Sequence, residues 1–158
     1  MEHFSGWLYD TSVSQFIQNT SWVIPAVQSV HILAIAVLVG SAIVLDLKLA
    51  GVVARSESAA VVCRRYMPWL WWGLAVLVAT GLVMVTGEPD RTMMNRVFWT
   101  KMALVGVAFV LTLLMRQPML RADAAGRLEW AAAKPLGLAA LAIWVAIIFC
   151  GRWIAYSI

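Results

Sequence analysis

Four ionisable side chains interrupt the long apolar runs of this sequence: His31, Asp46, Lys101 and Arg152. Ionisable groups are costly inside a bilayer, so each one is a candidate for function. A histidine with one ring nitrogen free can ligate haem iron. Lys101 and Arg152 are cations, and they suit haem propionates or the acidic head of a lipid-like ligand such as a quinone. Gln28 precedes His31 by one turn and shares its helical face, where it can act as a hydrogen-bond donor beside the site. Met84 offers a soft thioether, which suits haem iron or Cu(I). His3, Met93 and Met94 are further candidates for a second axial ligand, as is a second copy of His31 in a symmetric dimer. Asp46, in LDLK, has two readings: a link to Lys48 or Arg64 at the headgroup layer, or a proton or cation role.

Hydrolytic chemistry finds little support. There is no HExxH, GxSxG or phosphate loop. Ser29 is two positions from His31, a spacing at which helical side chains do not face each other. No catalytic residue is assigned.

These groups sit in a chain built for lipid. Of 158 residues, 63% are hydrophobic and 13% are charged, and the mean hydropathy is +0.84. The charged share is about half the usual globular value. Four runs are long enough to span, at about 20 residues each: residues 23–46, 67–87, 96–115 and 135–156. The expected fold is therefore all-α: one domain over residues 1–158, a four-transmembrane-helix bundle. His31 lies about eight residues into the first span, roughly 12 Å deep. Lys101 opens the third span and Arg152 closes the fourth at the same face, so all four spans can contribute to one outer-leaflet site.

The connecting segments orient the bundle. Lys48, Arg55, Arg64 and Arg65 follow the first span, and Arg116, Arg121, Arg127 and Lys134 follow the third. The opposite side carries only Arg91, Arg96, Lys101 and Arg152. The positive-inside rule then puts both termini outside the cytoplasm, in the periplasm of a bacterium, with the protein in the inner membrane. The start, MEHFSGWLYD, has no basic n-region, so no signal peptide is expected.

Aromatics fit that frame as interface anchors: Trp7, Tyr9, Trp22, Trp99, Trp153 and Tyr156 outside, and Tyr66, Trp69, Trp71 and Trp72 inside. Residues 4–19 read as a short surface helix with Trp7, Leu8, Phe16 and Ile17 toward lipid. Residues 116–134 read as including a short amphipathic helix. Ala36 and Gly40 form an AxxxG pair suited to close helix packing, and Gly73, Gly81, Gly106 and Gly137 suit the same role. Pro25, Pro68 and Pro135 read as first-turn prolines. Cys63 and Cys150 fall at opposite faces, so no disulfide between them is expected. The net charge of +4 comes without a basic and aromatic surface, which argues against nucleic-acid binding.

The stretch WVIPAVQSVHILAIAVLVGSAIVLDLKL resembles an uncharacterised bacterial family of small four-span integral membrane proteins. The motif is W-x-x-P-x-x-Q-S-x-H-I-L, carried by Trp22, Pro25, Gln28, Ser29, His31, Ile32 and Leu33, then Gly40 and a D-L-x-L ending at Asp46, Leu47 and Leu49. The resemblance implies the four-span plan and no particular activity. More distantly, the chain is similar to copper-resistance D-type membrane proteins and to haem-associated oxidases of the porphyrin pathway, which carry more histidines in more spans. The functional expectation is a small b-type haem-binding or electron-transfer subunit. His31 would be its axial ligand, Met84 a metal-site candidate, Gln28 a neighbouring donor, and Lys101 and Arg152 the propionate partners. The alternatives are a cofactor-free accessory subunit, acting in an oligomer or larger complex, and a copper-binding or small-ligand transport protein.

Overall fold

The computed structural model describes residues 2–121 and 133–153, and among these every regular element is a helix. Two short helices open the chain, α1 (Glu2–Tyr9) and α2 (Ser12–Asn19). Four long ones follow: α3 (Val23–Leu49), α4 (Ala59–Gly87), α6 (Arg96–Arg121) and α7 (Ala133–Trp153), with a five-residue α5 (Pro89–Met93) between α4 and α6. All four long helices are long and apolar enough to cross a membrane.

Their packing is inside-out by the standards of a soluble bundle. The most apolar windows of the four long helices are only 39%, 17%, 11% and 22% buried. Ile32, Leu33, Leu82, Leu114 and Phe149 are all exposed. A monomeric soluble protein rarely leaves so much contiguous apolar surface uncovered. A bilayer covers it without any further protein.

The core is narrow. Leu38, Leu45, Leu70, Met115, Met119 and Trp144 fill it. α3 packs on α4 and α7, α6 packs on α7 and α4, and the backbones of α3 and α6 do not pack on each other. The helices thus form a ring in which α3 and α6 are diagonal. Groups from these two helices meet only across the axis of the bundle.

Close approach falls at glycines other than the expected AxxxG pair. Gly40 has open space where a Cβ would stand, and Ala36 is exposed, so this pair faces outward rather than into a helix interface. Gly106 is open in the same way. The tight contacts are at Gly73, where an added Cβ would lie 2.9 Å from Leu38 Cβ, and at Gly137, where it would lie 2.7 Å from the backbone oxygen of Asp46.

Several expectations need correction. Ser58 caps α4 by accepting from the Val61 N–H, so the helix starts at Ala59. Pro68 therefore lies within the helix, not in its first turn, and Pro118 lies inside α6, which continues to Arg121. The rest of the expected 116–134 helix, and Trp130 and Tyr156, lie outside the described residues. Trp71 is not a simple interface anchor: its ring meets Phe109 edge-on, with centroids 5.2 Å apart, and so joins α4 to α6.

The surface helix is two helices. Thr11 makes the break, donating to Leu8 O at 2.7 Å and accepting from Ser14 N at 3.3 Å. It closes α1 and caps α2 with one hydroxyl. Trp7 and Phe16 are exposed as expected, but Ile17 is buried. It packs with Ile24 where a Gly87 side chain would stand. Ser14 Oγ, buried, donates to Thr86 O at 2.6 Å and accepts from Gln18 at 2.8 Å. Ser14→Ala should loosen this dock by about 1 kcal/mol, a typical value for one hydrogen bond. Faster proteolysis between α2 and α3 in the variant would register it, and an unchanged cleavage rate would count against the dock.

Candidate functional site

His31 is half-buried on α3 and faces α4. Its Nδ1 lies 2.7 Å from Thr80 Oγ1. The Thr80 hydroxyl donates its single proton to Val76 O at 2.7 Å, one turn back on its own helix. Its oxygen is then the acceptor, and Nδ1–H of His31 is the donor. With Nδ1 as the donor, Nε2 keeps its lone pair. Gly81 follows Thr80 and lies beside the ring: a Cβ there would make an ordinary contact, 3.9 Å from His31 Cε1.

Lys101 approaches from the diagonal helix. It is half-buried. Its Nζ lies against α7, 3.7 Å from where a Gly151 Cβ would be. The side chain therefore reaches across to the end of α7. His31 and Thr80 thus meet between α3 and α4, and Lys101 and Gly151 between α6 and α7.

The other expected residues lie around this cluster. Gln28 is exposed on α3. Arg152 follows Gly151 and is exposed. Met84, half-buried, is one turn beyond Gly81 on α4. Ser29 is exposed and donates to Pro25 O at 2.8 Å. Cys63 and Cys150 are both free thiols. Among the described residues no three His, Cys, Asp or Glu side chains gather as a metal-ligand group.

Thr80 is the member of the site that sequence reasoning does not reach. A threonine in an apolar helix ordinarily bonds its own helix's carbonyl and needs no other partner.

Asp46 departs from expectation. Its neighbour Lys48 turns away and donates to Ala54 O at 2.8 Å and Glu57 O at 2.6 Å, closing the α3–α4 loop. Asp46 is 3% exposed, and its Oδ2 has no hydrogen-bond partner among the described residues. The expected salt link with Lys48 is not formed.

The fold and the site together define a small all-helical bundle of four membrane-span-capable helices, with a histidine–threonine pair between two of them. The chain belongs to the family of unknown function DUF6644, whose model matches residues 4–157. No curated protein and no solved structure matches it.

Proposed function

We propose that this protein is a small integral membrane subunit that binds one haem b through His31 and transfers electrons. The observation that carries this reading is the hydrogen bond from His31 Nδ1 to Thr80. Metal-ligating histidines are characteristically held by their second nitrogen, which fixes the ring and raises its basicity. Here the first is anchored, and Nε2 is the one left to ligate. Bound haem would supply one-electron exchange at iron. Lys101 would neutralise a propionate, with Arg152 and Gln28 nearer the rim. Met84, or a second copy of His31 in a homodimer, would complete the axial pair. The cation distribution favours termini outside the cytoplasm in a bacterial inner membrane, which puts the site in the outer half.

The absorption spectrum of freshly purified protein, expressed with excess haem, tests this. A Soret band should appear, and His31→Ala should abolish it. Thr80→Val should retain the fold and weaken haem binding about 10–100-fold, the usual effect of losing a histidine's supporting partner. A spectrum without a Soret band would sink the proposal, and so would a band indifferent to His31→Ala.

The chemistry of His31 and Lys101 favours a second reading. An imidazole nitrogen that accepts and an ammonium that donates would together suit a quinone or quinol head. Quinone co-purifying with the wild type and lost in Lys101→Met, without any Soret band, would select it. A cofactor-free accessory subunit would show neither, and His31→Ala would act only on assembly.

A further inference from the structure

A second polar site lies at the other end of α3. Asp46, Thr112 and three methionines, Met67, Met115 and Met119, line one cavity of about 10 Å³ together with four aliphatic side chains. That is about the space of a single water-sized sphere. All five side chains are buried, and Asp46 Oδ2 lacks a hydrogen-bond partner among the described residues. Met115 and Met119 are one turn apart on α6, so both thioethers lie on one face. Met67 comes from α4 and Asp46 from α3.

An unpartnered carboxylate in so dry a place is costly unless a proton or a cation neutralises it. The lining tells which cation fits. A hard ion such as Na⁺ or Mg²⁺ needs a shell of oxygens, and the side chains here offer Asp46 and the Thr112 hydroxyl, whose proton is already given to Ala108 O at 2.8 Å. Thioethers are soft ligands and select Cu(I) and its relatives. The cavity has no room for a hydrated ion and has room for a bare one. A monovalent cation would leave the site neutral.

We propose that Asp46, Met67, Met115 and Met119 form a binding site for one soft monovalent cation of the Cu(I) class, with the carboxylate balancing its charge. This site is separate from His31 and stands whether or not haem binds there. It also gives the methionines a shared role that apolar packing alone does not require.

Anaerobic titration of the full-length protein in detergent with Cu(I), against a colorimetric Cu(I) chelator, tests it. The Cys150→Ser background removes the more exposed thiol. One Cu(I) should bind per chain. Met115→Leu/Met119→Leu, a conservative pair for folding, should weaken binding about a hundredfold or more, beyond the 10–100-fold effect of outer-shell changes. Asp46→Asn should also weaken it, while Met102→Leu on the exposed face should not. Ag(I) should compete. Binding that survives the double methionine variant would overturn the assignment, as would binding lost in Cys63→Ala but kept in that variant. Absence of stoichiometric binding, with an infrared band for a protonated carboxyl that disappears in Asp46→Asn, would show that a proton fills the role instead.

Discussion

Gly137→Ala is expected to destabilise the bundle by about 2 kcal/mol, although the same exchange on an open helix face is favourable. Alanine gains about 1 kcal/mol over glycine in helix propensity. At Gly40, where an added Cβ meets nothing within 4 Å, that gain should appear undiminished or nearly so. At Gly137 the new atom would lie 2.7 Å from Asp46 O and 3.1 Å from Leu49 Cβ. The first of these is backbone, which cannot rotate aside, so α7 must move off α3. Overpacking of this kind costs about 1–3 kcal/mol, and valine should cost more than alanine. Gly73→Ala is the parallel case on α4, since its Cβ would meet Leu38 Cα at 3.2 Å as well as Cβ. Reversible unfolding in mixed micelles, followed by tryptophan fluorescence, gives the ranking. Equal midpoints for Gly137→Ala and Gly40→Ala would refute the close approach.

Val110→Arg and Val78→Arg should each block stable membrane insertion. Both valines are exposed, at 53% and 55%, and both lie well inside their helices. On insertion scales an arginine near the middle of a span is unfavourable by about 3 kcal/mol. Neither position faces the bundle interior, so no partner would offset that. Most of each variant should be lost from the membrane fraction or degraded. A soluble bundle would respond the other way, since a charge on an exposed face improves solubility. Normal yields of both variants in the aqueous fraction would therefore remove the membrane reading.

The spans were legible in the sequence because charge is nearly absent from them and lipid demands that absence. Where the second of them begins was not. Residues 59–66 carry Arg64 and Arg65 and read as loop, yet Ser58 caps a helix there and Val62 and Cys63 are buried in the core. Charges at the end of a membrane helix extend it into the headgroup layer without breaking it. The prominence of His31 could be read directly. Its hydrogen bond to Thr80 could not, since 49 positions separate the two residues. The same holds for Asp46 and the methionines: the i, i+4 spacing of Met115 and Met119 is visible, but the meeting of α3, α4 and α6 on one cavity is a property of the ring of helices. The Ala36–Gly40 pair misleads for the converse reason, because small-residue spacing says that a helix can approach and not which side it approaches from.

The seat of α7 on α3 bears on how the chain is made. α7 is the last of the four long helices to be synthesised and α3 the first, and Gly137 lies against the carbonyl end of α3 beside Asp46. Until α7 is released from the ribosome, α3 and α4 can pair at once, but the groove along the last turns of α3 stays open to lipid. Folding of this bundle therefore closes by joining its two ends in sequence, and a chain stopped short of Gly137 would enter the membrane as a hairpin and a third helix without the piece that locks them.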